Sequence, residues 1–169
     1  MAVSLFVSET ETETLKVAAD LVHLRSEAPL QFIDITELVK ERVRRSGVTD
    51  GFVNIQSRHT TAAIIINENE PLLLEDLEKT LETWAPQNRL YRHNDLDARP
   101  QPIPADERPN GHSHARAFYL GTSETVNITG GELQLGCWQT IFLVELDGIR
   151  TRAVSIVVMG TKGNSGLSS

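Results

Sequence analysis

Short hydrophobic runs with either alternating or helical periodicity divide the chain into compact elements separated by polar turns. Ser4-Leu5-Phe6-Val7 and residues 9–15, where threonine alternates with glutamate, read as two extended pieces of edge-strand character. Phe32-Ile33-Asp34-Ile35 predicts a short strand. Asp34 and Glu37 then have capping-box spacing, and Ile35, Leu38, Val39 and Val43 form a helical stripe that ends at Gly47. Residues 51–57 and 61–67 are rich in β-formers and predict two strands with Arg58-His59-Thr60 at their junction.

Pro71 sits where a helix can start without losing a hydrogen bond, and Leu73, Leu77, Leu81 and Trp84 continue as an apolar stripe until Pro86. Residues 87–113 are polar and proline-rich. A loop of that length is either functional or disordered, and histidines at both of its ends favour function. Residues 115–120 read as a short helix stopped by Gly121. Gly130-Gly131 and Asp147-Gly148 are hairpin dipeptides between strands expected over residues 124–129, 132–146 and 149–158. Cys137 falls in the middle of the second of these and reads as a buried, inert thiol. The pattern gives a single compact α+β domain over residues 1–160, with a mainly antiparallel or mixed β-sheet core and two to three helices. Residues 161–169 read as a disordered tail.

Composition narrows the function. A chain of 169 residues that is 40% apolar can bury one core and no second. No apolar run approaches the ~18 residues of a membrane span, and the acidic start lacks signal-peptide features, so the expected compartment is the cytoplasm. A net charge of -7 argues against nucleic acid as a partner. One cysteine allows neither an internal disulfide nor a thiolate zinc cluster, so any metal site must use histidine and oxygen. A small phosphorylated metabolite stays compatible with the acidic balance, because a few local donors suffice to hold one phosphate.

Candidate chemistry lies in three polar segments. Ser57-Arg58-His59-Thr60-Thr61 offers an imidazole, a guanidinium and hydroxyls, which suits a metal ligand beside a phosphate pocket; the alternative is a polar strand end whose hydroxyls cap the next element. Arg92-His93-Asn94-Asp95-Leu96-Asp97 adds an imidazole with carboxylates that could move a proton or fix a tautomer; the alternative is a solvated loop with Asx turns. In His112-Ser113-His114 the answer depends on local structure. On a strand both rings share a face, whereas on a helix they diverge by roughly 200 degrees. The following residues favour a helix, so His114 is the expected ligand and His112 a bystander. His23, among apolar neighbours, reads as structural.

Taken together, His59-Thr60-Thr61-Ala62, Asn67-Glu68-Asn69-Glu70-Pro71, His93-Asn94-Asp95, His114 with Gly121-Thr122-Ser123, and Leu135-Gly136-Cys137-Trp138-Gln139 resemble, in this order, the YjbQ-like family of secondary thiamine-phosphate synthases. The resemblance spans nearly the whole domain. It implies a compact α+β fold, a homotrimer, and an activity that joins hydroxymethylpyrimidine diphosphate to thiazole phosphate with release of pyrophosphate. It also implies that His59, His93 and His114 are the family's shared imidazoles and Trp138-Gln139 its tryptophan-glutamine pair. Cys137 stands where the family usually carries threonine. The resulting expectation is a divalent metal, zinc, on His59, His93 and His114, with Ser57, Arg58 and Thr60 on phosphate oxygens and Arg58 and Asp95 as catalytic groups. Two other readings stay open: a zinc-dependent hydrolase or lyase on a small phosphorylated or carbonyl substrate, and a non-catalytic metal- or metabolite-binding trimer.

Overall fold

In a computed structural model the protein is described over residues 14–100, 102–103 and 107–162. The expected extended piece at residues 4–7, and residues 9–13 of the second, lie outside this range. In chain order the elements are β1 (Lys16–Arg25), β2 (Gln31–Asp34), α1 (Thr36–Ser46), β3 (Asp50–Ser57), β4 (Ala62–Asn67) and α2 (Pro71–Trp84). A 3-10 turn (Arg92–Asn94) follows, then α3 (Gly111–Leu120), β5 (Ser123–Thr129), β6 (Glu132–Leu133), β7 (Thr140–Glu145) and β8 (Thr151–Thr161).

The strands form two antiparallel sheets, β1-β8-β3-β5-β6 and β2-β7-β4, so the α+β architecture holds with two sheets in its core. β8 alternates between buried and part-buried positions, as a sheet with one covered face should. Val154, Ile156 and Val158 of β8 and Val53 and Ile55 of β3 pack with Ile64, Ile141 and Leu143 of the smaller sheet and with Val39 and Val43 of α1. The opposite face of the smaller sheet, Ala63, Phe142 and Val144, packs with Leu81 of α2 and Ala117 of α3. Burial on both faces explains why β4 and β7 read as unbroken apolar runs rather than alternating ones.

Several local expectations need correction. Asp147-Gly148 does not close a hairpin: β7 and β8 lie in different sheets, and the turn carries the chain from one to the other, with Gly148 at a φ of 83°. The strand expected over residues 132–146 is broken by a turn at 136–139, where the Gln139 side chain accepts the Gly136 N–H at 2.7 Å. Cys137 is therefore exposed rather than buried in a strand. α3 begins at Gly111, several residues earlier than expected, because Asn94 Oδ1 accepts the otherwise orphan Gly111 N–H at 2.9 Å. At the start of α1, Asp34 accepts the Thr36 N–H at 2.9 Å, but Glu37 pairs with Lys40 instead of reaching back to complete a capping box. β1 itself was not legible as a strand, and β8 runs to Thr161, one residue into the expected tail. Among the described residues no helix is long and apolar enough to cross a membrane.

Candidate functional site

Two of the crossings between the sheets, residues 58–61 after β3 and 146–150 after β7, end over the same buried ion pair. Glu145 and Arg152 are almost fully buried and bond through two guanidinium nitrogens, Nη2 and Nε, the latter at 2.7 Å. Glu145 also accepts the backbone N–H groups of Leu146 and Asp147 at 2.9 and 2.8 Å and the Ser26 hydroxyl at 3.1 Å. Arg152 donates to Thr61 O and Oγ1 at 3.2 and 3.1 Å. A buried charge pair is tolerable only with its remaining bonding capacity satisfied, and here the bonds that satisfy it fix the two crossings together.

His59 belongs to this framework. Its Nε2 accepts the Ala153 N–H at 2.8 Å while the neighbouring Arg58 N–H bonds Ala153 O at 3.0 Å. Accepting at Nε2 places the ring proton of a neutral imidazole on Nδ1, so neither nitrogen has a free lone pair. Burial, and then the Arg152 charge, lower the His59 pKa, in agreement with a neutral acceptor. Ser57 is likewise turned inward, its hydroxyl accepting the His59 N–H at 3.3 Å.

A cavity of about 310 Å³ opens above the framework, lined by Thr60, Thr61, His93, Arg99, Glu107, Asn110, His114, Asp147, Arg150 and Arg152. The Asn94 bond to Gly111 draws the 3-10 turn against the start of α3, and Gly111 makes that approach possible: a Cβ there would lie 2.5 Å from Tyr91 Cβ. As a result the His93 and His114 rings meet edge to face, with centroids 4.5 Å apart. His93 Nε2 is buried without a hydrogen-bond partner. The His114 pKa is lowered by burial and next by His93, with Asp147 and Glu107 opposing, so its ring is a neutral base near pH 7. Arg99 pairs with Glu107 at 2.9 Å and Arg150 with Asp147 at 3.0 Å, which places both cations at the cavity in fixed positions.

The structure thus brings His93, His114 and Thr60 of the expected set into one cavity. It does not bring His59, Ser57, Arg58 or Asp95 there; Asp95 is exposed and accepts the Ala98 N–H at 3.2 Å in a local turn. Among the described residues no group of three His, Cys, Asp or Glu is placed to hold a metal, so within one chain the expected three-imidazole set reduces to the His93–His114 pair. His112 lies on another face of α3, as the helical spacing required, and burial also lowers its pKa. Arg99, Glu107, Asn110, Asp147, Arg150 and Arg152 were missed. The sequence signal for the last three is the charged repeat Glu145-Leu146-Asp147-Gly148-Ile149-Arg150-Thr151-Arg152 between apolar strands.

The fold is a two-sheet α+β arrangement with a pocket lined by histidine and arginine beside two of its crossings. A family model described as UPF0047 protein YjbQ-like matches residues 20–161, and the chain belongs to this YjbQ/UPF0047 family. A UPF0047 protein of Methanothermobacter thermautotrophicus is 40% identical over 146 residues, covering 86% of this chain and 94% of that protein. The UPF0047 protein YugU of Bacillus subtilis is 34% identical over 132 residues, covering 77% of this chain and 90% of its own. Among solved structures, a YbjQ-like protein of unknown function from Sulfolobus solfataricus superposes with a TM-score of 0.78 at 33% identity, covering 87% of this chain and 99% of that one.

Proposed function

We propose that the His93–His114 cavity is the working site of an enzyme acting on a small phosphorylated metabolite with a divalent metal, zinc by its donor chemistry. The observation that carries this reading is the pair itself: two touching imidazoles, one with a buried unpartnered nitrogen, opening on a cavity with fixed arginines. Imidazole suits zinc better than magnesium, and His93 and His114 would supply two ligands, the remaining positions being left to substrate, water or a neighbouring subunit. Bound there, the metal would act as a Lewis acid toward a phosphoryl oxygen. Arg99 and Arg150 would hold phosphate charge, and Thr60 and Thr61 would donate to phosphate oxygens.

The specific reaction proposed is thiamine-phosphate synthesis. The C–O bond from the pyrimidine methylene to the diphosphate breaks as the thiazole nitrogen forms a C–N bond to the same carbon, and pyrophosphate leaves. We also propose a homotrimer, supported by the exposed apolar side chains of Leu72, Trp84, Leu90, Phe118 and Tyr119. The imidazole donors favour one second reading, a zinc-type hydrolysis of a phosphorylated substrate.

Steady-state turnover of the two phosphate substrates, with zinc or magnesium supplied, tests the reading. His93→Ala and His114→Ala should each reduce turnover by about 10²-fold or more. Arg58→Ala and Asp95→Asn, outside the cavity, should change it far less. Phosphate release from either substrate alone would favour hydrolysis instead, and equal activity of all four variants would remove the cavity from the reaction.

A further inference from the structure

Asp147 also lines a second cavity, of about 420 Å³, that shares no other lining residue with the first. The helical divergence that takes His112 away from the His93–His114 pocket delivers it here. Leu30, Pro109, Leu146 and Ile149 supply apolar lining, and Arg108 and His112 supply polar groups beside Gln87 and the charged Arg116 and Asp147. A volume of this order, with apolar walls and fixed polar groups in similar measure, is that of a small-molecule site.

The polar groups are specific in what they ask of a ligand. Ser113 donates its only hydroxyl hydrogen to Leu146 O, and the same oxygen lies 3.1 Å from His112 Nε2. It must therefore accept from Nε2–H, which leaves Nδ1 of the neutral ring as a bare acceptor. His112 is only 8% exposed, and its Nδ1 is buried with no partner. An unpaired buried acceptor of this kind costs free energy until a donor arrives. Arg108 is held by one bond to Asp147 O at 2.8 Å, and its guanidinium lies over Gly148, where a Cβ would stand 3.0 Å from Nη2. Glycine, at a φ of 83°, leaves the guanidinium this space.

We infer that this cavity binds a small planar heterocycle which gives an N–H to His112 Nδ1 and presents a carbonyl or ring-nitrogen acceptor to Arg108, its faces resting on the apolar lining. The inference stands apart from the reading of the His93–His114 pocket. It requires neither a metal nor turnover.

The test uses the full chain and uracil, with 1,3-dimethyluracil as a probe of the same ring that lacks N–H donors, in saturation-transfer NMR at millimolar ligand. Uracil should bind, and dimethyluracil at least about tenfold more weakly, as expected when a buried acceptor is left unpaired. The ¹⁵N resonance of His112 Nδ1 should shift on adding uracil. Arg108→Leu should weaken binding by about tenfold, while His93→Ala should leave it unchanged. His112→Phe should abolish the preference for uracil; the Nδ1 resonance of the unaltered protein makes the same test if that buried substitution prevents folding. No uracil binding, equal binding of both probes, a static Nδ1 resonance, or loss of binding in His93→Ala would each overturn the inference.

Discussion

On one side of the His93–His114 pocket, two sheet crossings are locked over the buried Glu145–Arg152 pair by Thr61, Leu146, Asp147 and Ser26. On the other, the histidine-bearing segment is fastened to the body by the Asn94 bond to Gly111, the Tyr91 hydroxyl to Pro86 O at 3.0 Å, and the half-buried Arg99–Glu107 pair. The first side is over-determined and the second depends on a few bonds. This difference separates two kinds of contribution: the floor sets stability, whereas the wall sets the relation between the imidazoles. Substitutions in the two should fail differently.

The largest effect is expected in the floor. Glu145→Ala leaves the Arg152 guanidinium buried without its counter-ion and should destabilise the protein by about 3–5 kcal/mol in denaturant unfolding. A Glu145→Leu, Arg152→Met double variant should lose less than Glu145→Ala, because no uncompensated charge remains. Equal losses would mean the pair is not coupled. Gly111→Ala comes next. Its Cβ meets Tyr91 and should cost about 1–3 kcal/mol while pushing His93 away from His114. Asn94→Ala should cost only about 1 kcal/mol yet weaken metal binding clearly, since it releases the wall without disturbing the floor. A metal affinity unchanged by Asn94→Ala would contradict the division proposed between the two sides.

The smallest effect is in the pH profile. His59, His112 and His114 have folded-state pKa values below their ordinary value near 6.5, with burial the leading cause for each. Above that value the rings are neutral in both states and their full contribution is present. As pH falls below it the unfolded chain takes up protons first, so stability declines toward the lower folded-state values. For His59 protonation also removes the acceptor of the Ala153 N–H. Metal-free protein should therefore be less stable at pH 5.5 than at pH 7.5, and His59→Gln should reduce part of that slope. An unchanged slope would dissociate His59 from the floor.

How much of this was legible follows from which interactions are local. The ends of α1 and α2, the Gly130-Gly131 turn and the divergence of His112 from His114 are written in neighbouring residues and were readable. The route from β7 to β8 was misread because Asp147-Gly148 has the same chemistry in a hairpin and in a crossing. What distinguishes the two, continuous burial in Thr140–Glu145 and alternating burial in Thr151–Thr161, belongs to the fold, since Ile156-Val157-Val158-Met159 is an unbroken apolar run in the sequence. His59 was readable as important but not in its role, since its partner is a backbone N–H 94 residues away. Arg152 and Glu145 were overlooked because charges inside strands register as solvent-facing until their mutual pairing is known.

The zinc site proposed above rests on His93 and His114, and not on His59. Calorimetric titration of zinc into chelator-treated, correctly folded wild type, His59→Gln, His93→Ala and His114→Ala tests it directly. Zinc should bind tightly to wild type and His59→Gln and be lost from both His93→Ala and His114→Ala. Binding that survives in His93→Ala and His114→Ala, or that disappears in a folded His59→Gln, would contradict it.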